Sequence, residues 1–170
     1  TELARRFGLR HWQLSLSATD ANRFVVRLAR QVTGRPKILV HNHCYHGSVD
    51  ETVVALEDGK VVPRHGNIGP PVDPELTTRV VEINDLEALE RELKEGDVAC
   101  ALVEPALTNI GIVLPEPGYH DRLRELARET GTLLVIDICT ARDPAQACAA
   151  ITGFLGLAPR AGLTLPHENA

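Results

Sequence analysis

The sequence predicts an α/β fold in which a mainly parallel β-sheet carries helices on both faces. Short β-branched or apolar runs alternate along the chain with stretches whose apolar residues recur at helical spacing. This alternation is typical of βαβ units, in which a helix connects two parallel strands. The 170 residues are 44% apolar and 24% charged, as in an ordinary globular domain. We therefore expect one layered sheet rather than a disordered, fibrous or membrane-spanning chain.

The strands and helices follow from the local patterns. The five predicted strands span residues 12–17, 37–42, 79–83, 98–103 and 132–136, and the predicted helices span 20–33, 49–55, the segment from Asn84 to Gly96, and 119–130. Residues 58–78 are punctuated by proline and glycine, which predicts a long excursion without an element. Such excursions in compact domains are often functional.

Three helices have a recognisable buried stripe or end signal. The helix over 20–33 is predicted to bury Ala21, Phe24, Val25, Leu28 and Val32 and to end at Gly34. Asn84 and Glu87 predict a capping box for the next helix, with Leu86, Leu89 and Leu93 buried. The helix over 119–130 is predicted to bury Tyr119, Leu123, Leu126 and Ala127.

Charge and cysteine content limit the partners and the compartment. The net charge of −5 gives no basic patch for nucleic acid or an anionic membrane. Cys44, Cys100, Cys139 and Cys148 form no CxxC pair, and we expect reduced thiols in a cytoplasmic protein. The chain contains no methionine and starts at Thr1 within a helix-like segment. We expect it to be a fragment of a longer protein.

Polar residues follow the predicted strands at their carboxyl ends, where ligands bind in open α/β sheets. Ser17, Ala18 and Thr19 lead into the first helix, and the free backbone N–H groups of a helix start can hold a phosphate. The alternative is that Thr19 merely caps the helix. Asp137 directly follows the last strand and could hold a protonated ring nitrogen, or it could be an ordinary strand-end carboxylate satisfied by loop amides.

The segment after the second strand allows two kinds of site. His41 and His43 share a strand face and, with Cys44 or His46, could bind zinc, but no fourth ligand lies at a known spacing. We therefore predict no metal. Tyr45 could instead stack on a planar ligand, or it could fill the core. After the fourth strand, Glu104 and Asn109 bring a carboxylate and an amide into one loop.

Three longer stretches resemble the class III aminotransferases of the fold-type-I, pyridoxal-phosphate-dependent superfamily, in the branch of glutamate-1-semialdehyde aminomutase and the β-amino-acid aminotransferases. The stretches are SATDANRFVVRLARQVTGRPKIL (17–39), CYHGSVDET (44–52) and LVEPALTNIGIVLPEPGYHDRLRELARETGTLLVID (102–137). No GxGxxG, GxxxxGK[ST] or GxSxG motif points elsewhere. The resemblance implies a partial large domain over residues 1–137, with 138–170 as a divergent tail.

The resemblance also implies residue roles. Ser17, Ala18 and Thr19 match the phosphate-binding turn of pyridoxal 5'-phosphate, Tyr45 the aromatic that stacks on its ring, and Asp137 the carboxylate that pairs with its ring nitrogen. His46, Gly47, Glu104 and Asn109 match residues that line the pocket. The implied reaction moves an amino group between an amino acid and a keto acid, in a family whose members are homodimers.

The chain departs from the family pattern where a lysine should form the Schiff base. GLAPRAGLTLPH (156–167) is similar to the strand that leads to that lysine, but His167 stands near its expected position. The lysines of the chain are Lys37, Lys60 and Lys94, and none matches the family site. We therefore expect no transaminase activity from this chain. The alternatives to a partial aminotransferase are a non-catalytic domain that binds pyridoxal phosphate or another phosphate ligand, and an inactive remnant.

Overall fold

A computed structural model describes residue 5 and residues 11–138. The helices are α1 (Ala18–Thr33), α2 (Leu86–Lys94) and α3 (Tyr119–Thr130), the strands are β1 (Lys37–His41), β2 (Val54–Glu57), β3 (Lys60–Pro63), β4 (Thr78–Val81), β5 (Val98–Val103) and β6 (Leu133–Ile136), and single 3₁₀ turns span Asp50–Thr52 and Pro74–Leu76. The predicted tail after Ile138, with Cys139, Cys148 and His167, lies outside the described residues. None of the described helices combines the length and apolar content that crossing a bilayer requires.

The main sheet has the strand order β4-β1-β5-β6, and all neighbouring strands run parallel. All six residues of β5 are buried, as is typical of a strand covered on both faces. Val26 and Ala29 of α1 pack on one face with Ile38, Val40 and Leu102. Helices α2 and α3 pack on the other face, through Leu89, Leu93, Leu123 and Leu126. The predicted α/β fold with helices on both faces is confirmed.

The predicted first strand over 12–17 is wrong. These residues form no strand and lead directly into α1, which begins two residues earlier than predicted. Leu14 and Leu16 alternate with polar residues as in a strand, but both side chains are exposed. Since no neighbouring strand pairs with this segment in the described part of the chain, its alternating pattern produces no sheet structure.

The predicted excursion over 58–78 contains regular structure. Strands β2 and β3 form an antiparallel hairpin, with Glu57 opposite Lys60. Asp58 and Gly59 connect them at φ +49° and +75°, the backbone of a two-residue turn in which Asp-Gly is favoured. The predicted helix over 49–55 was also wrong, because only Asp50–Thr52 are helical and β2 starts at Val54.

Helix α1 packs on the sheet with a different face from the predicted one. Its buried residues are Asn22, Val26 and Ala29, whereas Phe24, Leu28 and Val32 are exposed. The helix is apolar on two sides, and helical spacing alone does not reveal which side faces the sheet. The outer stripe has no cover among the described residues.

The start of α2 also differs from the prediction. Asp85 is the N-cap and accepts a hydrogen bond from the backbone N–H of Ala88, so the Asn84–Glu87 capping box does not form. Asn84 adopts φ +72° and accepts from Glu116 N instead. Ala88, Leu89 and Leu93 are buried, while Leu86 is exposed. Helix α3, by contrast, has the predicted bounds and the predicted buried residues.

Candidate functional site

Three segments meet at the carboxyl ends of the parallel strands: the start of α1, the loop 42–48 after β1, and Asp137 after β6. Gly47 lies so close to Thr19 that a Cβ on the glycine would fall 1.9 Å from Thr19 Oγ1. Gly47 also has φ +76°, which favours glycine. Beside it, His46 Nδ1 and Asp137 Oδ2 are 2.8 Å apart. The fold therefore brings together Thr19, His46, Gly47 and Asp137 as the sequence predicted.

Asp137 is held in a fixed orientation by two side chains. His46 Nδ1 and Asn22 Nδ2 both donate to its Oδ2 atom at 2.8 Å, and its backbone N–H donates to Val103 O at 2.9 Å. The Oδ1 atom has no hydrogen-bond partner among the described residues. Within this part of the chain, both donors to the carboxylate therefore meet the same oxygen.

The His46–Asp137 pair is charged. Burial, the largest single cause, would lower the pKa of His46, but the hydrogen bonds and charges of Asp137 and Cys44 together outweigh it and raise the pKa to about 9. Burial would raise the pKa of Asp137, but the hydrogen bonds from His46 and Asn22 lower it overall. Both shifts favour the ionised forms, since each group is stabilised by the other. Asp137 therefore carries a negative charge at neutral pH.

The start of α1 has donors that the helix itself cannot use. Ser17 is the N-cap: its Oγ accepts from Asp20 N at 3.1 Å and donates to Asp20 Oδ2 at 2.8 Å. The cap is thus Ser17 and not Thr19. The backbone N–H groups of Ala18 and Thr19 find no acceptor among the described residues, as expected in the first turn of a helix.

Tyr45 and Glu104 are linked across the β1 and β5 loops. The Tyr45 side chain is 55% exposed, so it does not fill the core. Its backbone N–H donates to Glu104 Oε1 at 3.2 Å. Glu104 is buried, and its second oxygen accepts from Thr108 N and Thr108 Oγ1. The structure therefore leaves the Tyr45 ring open and uses the Glu104 carboxylate to hold the backbone of both loops.

Asn109 lies at the rim of these loops. It is exposed, and its Nδ2 donates to His43 O at 3.3 Å. His43 is exposed as well and adopts φ +63°. The loop that holds Asn109 is closed by paired hydrogen bonds between Leu107 and Val113.

The three histidines at the end of β1 and in the loop that follows have separate surroundings. His41 is buried on the α3 side, with its Nε2 atom 2.8 Å from the Tyr119 hydroxyl, and burial lowers its pKa to about 3. His46 contacts Asp137, and His43 is exposed. Between residues 11 and 138 there is no group of three His, Cys, Asp or Glu side chains arranged to hold a metal.

Two residues of the site were missed by sequence reasoning. Asn22 contacts Asp137 and also donates to His46 O at 3.3 Å. The sequence does contain a signal for Asn22, which lies at helical spacing from Val26 and Ala29. A polar residue on a buried helix face needs a hydrogen-bond partner. Arg64, from the supposed excursion, donates to Cys44 O at 2.8 Å and so attaches the β2–β3 hairpin to the Tyr45 loop.

The lysines lie away from this edge of the sheet or on its surface. Lys37 starts β1 and pairs with Asp97 at 3.1 Å, at the amino end of the strand. Lys94 ends α2 and pairs with Glu90, and Lys60 is an exposed residue of the β2–β3 hairpin. None of the three contacts Asp137, Thr19 or Tyr45.

Comparisons with known proteins agree with this arrangement. The family described as Aminotransferase class-III matches residues 1–140. Proteins named glutamate-1-semialdehyde 2,1-aminomutase from Methanosphaera stadtmanae and Persephonella marina are 42% and 39% identical over 124 residues, which is 71% of this chain and 29% of theirs. The chain thus spans about a third or less of these relatives.

Solved structures have the same fold. A glutamate-1-semialdehyde aminomutase from Pseudomonas aeruginosa PAO1 aligns with a TM-score of 0.83 and 50% identity over 93% of this chain and 35% of that protein. A variant of it has been solved in complex with PMP, the amine form of the cofactor. A β-phenylalanine aminotransferase from Variovorax paradoxus aligns with a TM-score of 0.65 and 28% identity over 83% of this chain and 31% of that protein. Because the family pattern covers most of the sequence and the fold agrees, the chain belongs to the class III aminotransferase family.

Proposed function

We propose that this chain carries the phosphate-binding and ring-binding half of a pyridoxal 5'-phosphate site. The observation that carries the proposal is the Asp137 carboxylate, which is ionised, fixed through Oδ2 and without a donor to Oδ1 among the described residues. A fixed anion at this edge matches the protonated ring nitrogen of a pyridine cofactor. When bound, the cofactor supplies an electron sink for chemistry at an amino group.

The other residues at this edge fit the rest of the cofactor. The unpaired N–H groups of Ala18 and Thr19, at the positive end of α1, would hold the phosphate. Gly47 lets the loop after β1 approach this end of α1, because a Cβ there would fall 1.9 Å from Thr19 Oγ1. The half-exposed ring of Tyr45 would stack on the pyridine face. His46 and Asn22 would hold Asp137 in place.

The parent reaction that this site supports is the movement of an amino group between an amino acid and a keto acid, or within one molecule as in an aminomutase. Relatives at 36–42% identity are named glutamate-1-semialdehyde 2,1-aminomutase, so this isomerisation is the first reaction to assay. Glu104 and Asn109 belong to the loop that would face the substrate. They connect it to the loop after β1, because Glu104 accepts from Tyr45 N and Asn109 donates to His43 O.

We propose that the 170-residue chain binds the cofactor without turning over substrate. The family reaction needs a lysine as nucleophile and proton carrier, and Lys37, Lys60 and Lys94 lie away from the site. For the 170-residue chain, this placement of the lysines favours a non-catalytic domain that binds pyridoxal phosphate or another phosphate ligand over a catalytic aminotransferase.

Absorbance after dialysis separates a catalytic aminotransferase from a non-catalytic domain that binds the cofactor. We expect the 170-residue chain to take up pyridoxal 5'-phosphate, to release it on exhaustive dialysis, and to transfer no amino group from an amino donor to pyruvate. Cofactor that survives dialysis, together with turnover that survives substitution of all three lysines by Arg, would contradict this. Failure to bind cofactor before dialysis would contradict the cofactor site itself.

A further inference from the structure

Asn22 occupies a position where an unpaired amide would be costly. It lies on the buried face of α1 with Val26 and Ala29 and is 5% exposed. Its Nδ2 group donates to Asp137 Oδ2 at 2.8 Å and to His46 O at 3.3 Å. Both partners accept, so the amide orientation is determined, because the flipped amide would place an oxygen against two oxygens. Both amide protons are used within the site.

The two donors to Asp137 come from different parts of the fold. His46 reaches Oδ2 from the loop after β1, and Asn22 reaches the same oxygen from the second turn of α1. A carboxylate held by one donor can rotate about its terminal torsion, which is broad. A second donor from another element fixes the plane of the carboxylate and determines which oxygen stays open.

On the basis of the function proposed above, we propose that Asn22 is a positioning residue that fixes the Asp137 carboxylate so that Oδ1 faces the cofactor ring. His46 supplies charge, and Asn22 supplies a neutral donor that does not titrate. Asn22 follows Ser17 by five positions on one helix, which corresponds to about 7.5 Å along its axis. The helix whose first turn would hold the phosphate therefore also sets the orientation of the group that meets the ring.

PMP is the probe for the test, because its amino group needs no lysine for binding. In the full chain, Asn22→Leu removes the donor at similar volume, and we expect it to weaken PMP binding about tenfold, in the range of a hydrogen bond to a charged group. Asn22→Asp should weaken PMP binding further, since it places a second carboxylate against Asp137. Inorganic phosphate, which has no ring, should bind Asn22→Leu and the parent alike. Gln31→Leu, an amide loss on the exposed side of α1, is the matched control and should leave PMP binding unchanged.

A second measurement needs no cofactor. Carbon-detected NMR titration of the Asp137 carboxyl group should show a higher pKa in Asn22→Leu than in the parent or Gln31→Leu, because one of its two donors is lost. If Asn22→Leu does not fold, Asn22→Ser takes its place in both measurements.

The results of these measurements separate the positioning role of Asn22 from the proposed cofactor site. Equal losses of PMP and phosphate affinity, or an unchanged Asp137 titration in Asn22→Leu, would overturn the positioning role. If the parent binds no PMP, the proposed function fails, and the Asp137 titration alone then supports or overturns the role of Asn22.

Discussion

At the scale of single residues, the chemistry of this chain is concentrated in one buried ion pair. His46 and Asp137 are 91 positions apart in sequence and meet at 2.8 Å with almost no exposed side-chain surface. Additional hydrogen bonds to its members stabilise a charged pair in such surroundings. Asn22 supplies one of those bonds. The site therefore depends on three side chains from three segments of the fold.

The ion pair predicts how stability depends on pH. The pKa of His46 is raised above its ordinary 6.5, so its contribution is complete below that pH and is lost as pH rises through the raised value. The pKa of Asp137 lies below its ordinary 3.8, so its contribution is present above that pH and is lost as pH falls. Asp137→Asn should therefore lower the free energy of unfolding the most, by about 2 kcal/mol, between roughly pH 4 and 6.5.

Urea unfolding of the parent and Asp137→Asn at successive pH values checks this dependence. Glu57→Gln, at an exposed carboxylate of the hairpin, is the control and should give no such window. A difference between Asp137→Asn and the parent that keeps growing into the alkaline range would contradict the pairing.

At the scale of elements, α1 organises the site from its N-terminal end. Its first turn leaves the N–H groups of Ala18 and Thr19 unpaired, its second turn presents Asn22, and Gly34 at φ +69° ends it with an N–H bond to Arg30 O. The buried face passes along the sheet through Val26 and Ala29. Helix α1 thus connects the candidate phosphate position to the core.

Hydrogen exchange tests the phosphate position. Ser17 already pairs with the N–H groups of Asp20 and Ala21, whereas those of Ala18 and Thr19 have no described partner. Saturating inorganic phosphate or pyridoxal 5'-phosphate should protect the segment 18–21, with the gain at Ala18 and Thr19. Protection elsewhere with no change at these two amides would leave Ser17 as an ordinary helix cap.

The orientation of α1 gives a second prediction at this scale. Val26 is 2% exposed and Leu28 is 62% exposed. Val26→Ala should lower the free energy of unfolding by about 2 kcal/mol, through lost burial and a cavity. Leu28→Ala should change it by no more than about 0.5 kcal/mol. Thermal or urea unfolding of the two variants compares them, and the reverse order would show that the predicted stripe of Phe24, Leu28 and Val32 faces the sheet after all.

The elements that sequence predicted well are those whose pattern has a single interpretation. Strand β5 is buried along its whole length, and α3 has one apolar face, so both have the predicted bounds. The segment 12–17 has the alternation of a strand but no neighbour, and pairing is not a local property. The β2–β3 hairpin was missed although Asp58-Gly59 is a strong turn signal, since proline and glycine nearby suggested a loop. Asn84 resembled a cap but serves the 114–116 loop instead.

At the scale of the whole molecule, the described residues form a four-stranded portion of a layered sheet. One face of α1 carries exposed Phe24, Leu28 and Val32, and β6 lies at the edge of the sheet. The chain spans 35% of the Pseudomonas aeruginosa protein with which it aligns. The residues of the candidate site in the described part of the chain nevertheless lie together, because they come from the start of α1, the loop after β1 and the position that follows β6.

Sequence placed most of the site because the carboxyl ends of parallel strands meet at one edge. Ser17, Thr19 and Asp137 were named from their position after a predicted strand or before a helix, and Gly47 was named from the family resemblance; Thr19 lies beside Gly47, and Asp137 beside His46. The strand expected before Ser17 does not exist, but α1 still begins there. The helical spacing of Asn22 with Val26 and Ala29 signalled a buried amide that needs a partner, but local spacing does not identify that partner, which lies 115 positions away. The roles of these residues toward a cofactor stay predictions.

The central claim is that Asp137 meets the ring nitrogen of a pyridine cofactor, and PMP affinity tests it most directly. In isothermal titration of the full chain, Asp137→Asn should bind PMP at least about tenfold more weakly than the parent does. The reason is that a neutral amide does not balance the charge of the ring. His43→Asn, in the same loop but without a contact to Asp137, should bind PMP like the parent. Equal PMP affinity for Asp137→Asn and the parent, with a large loss for His43→Asn, would contradict the account.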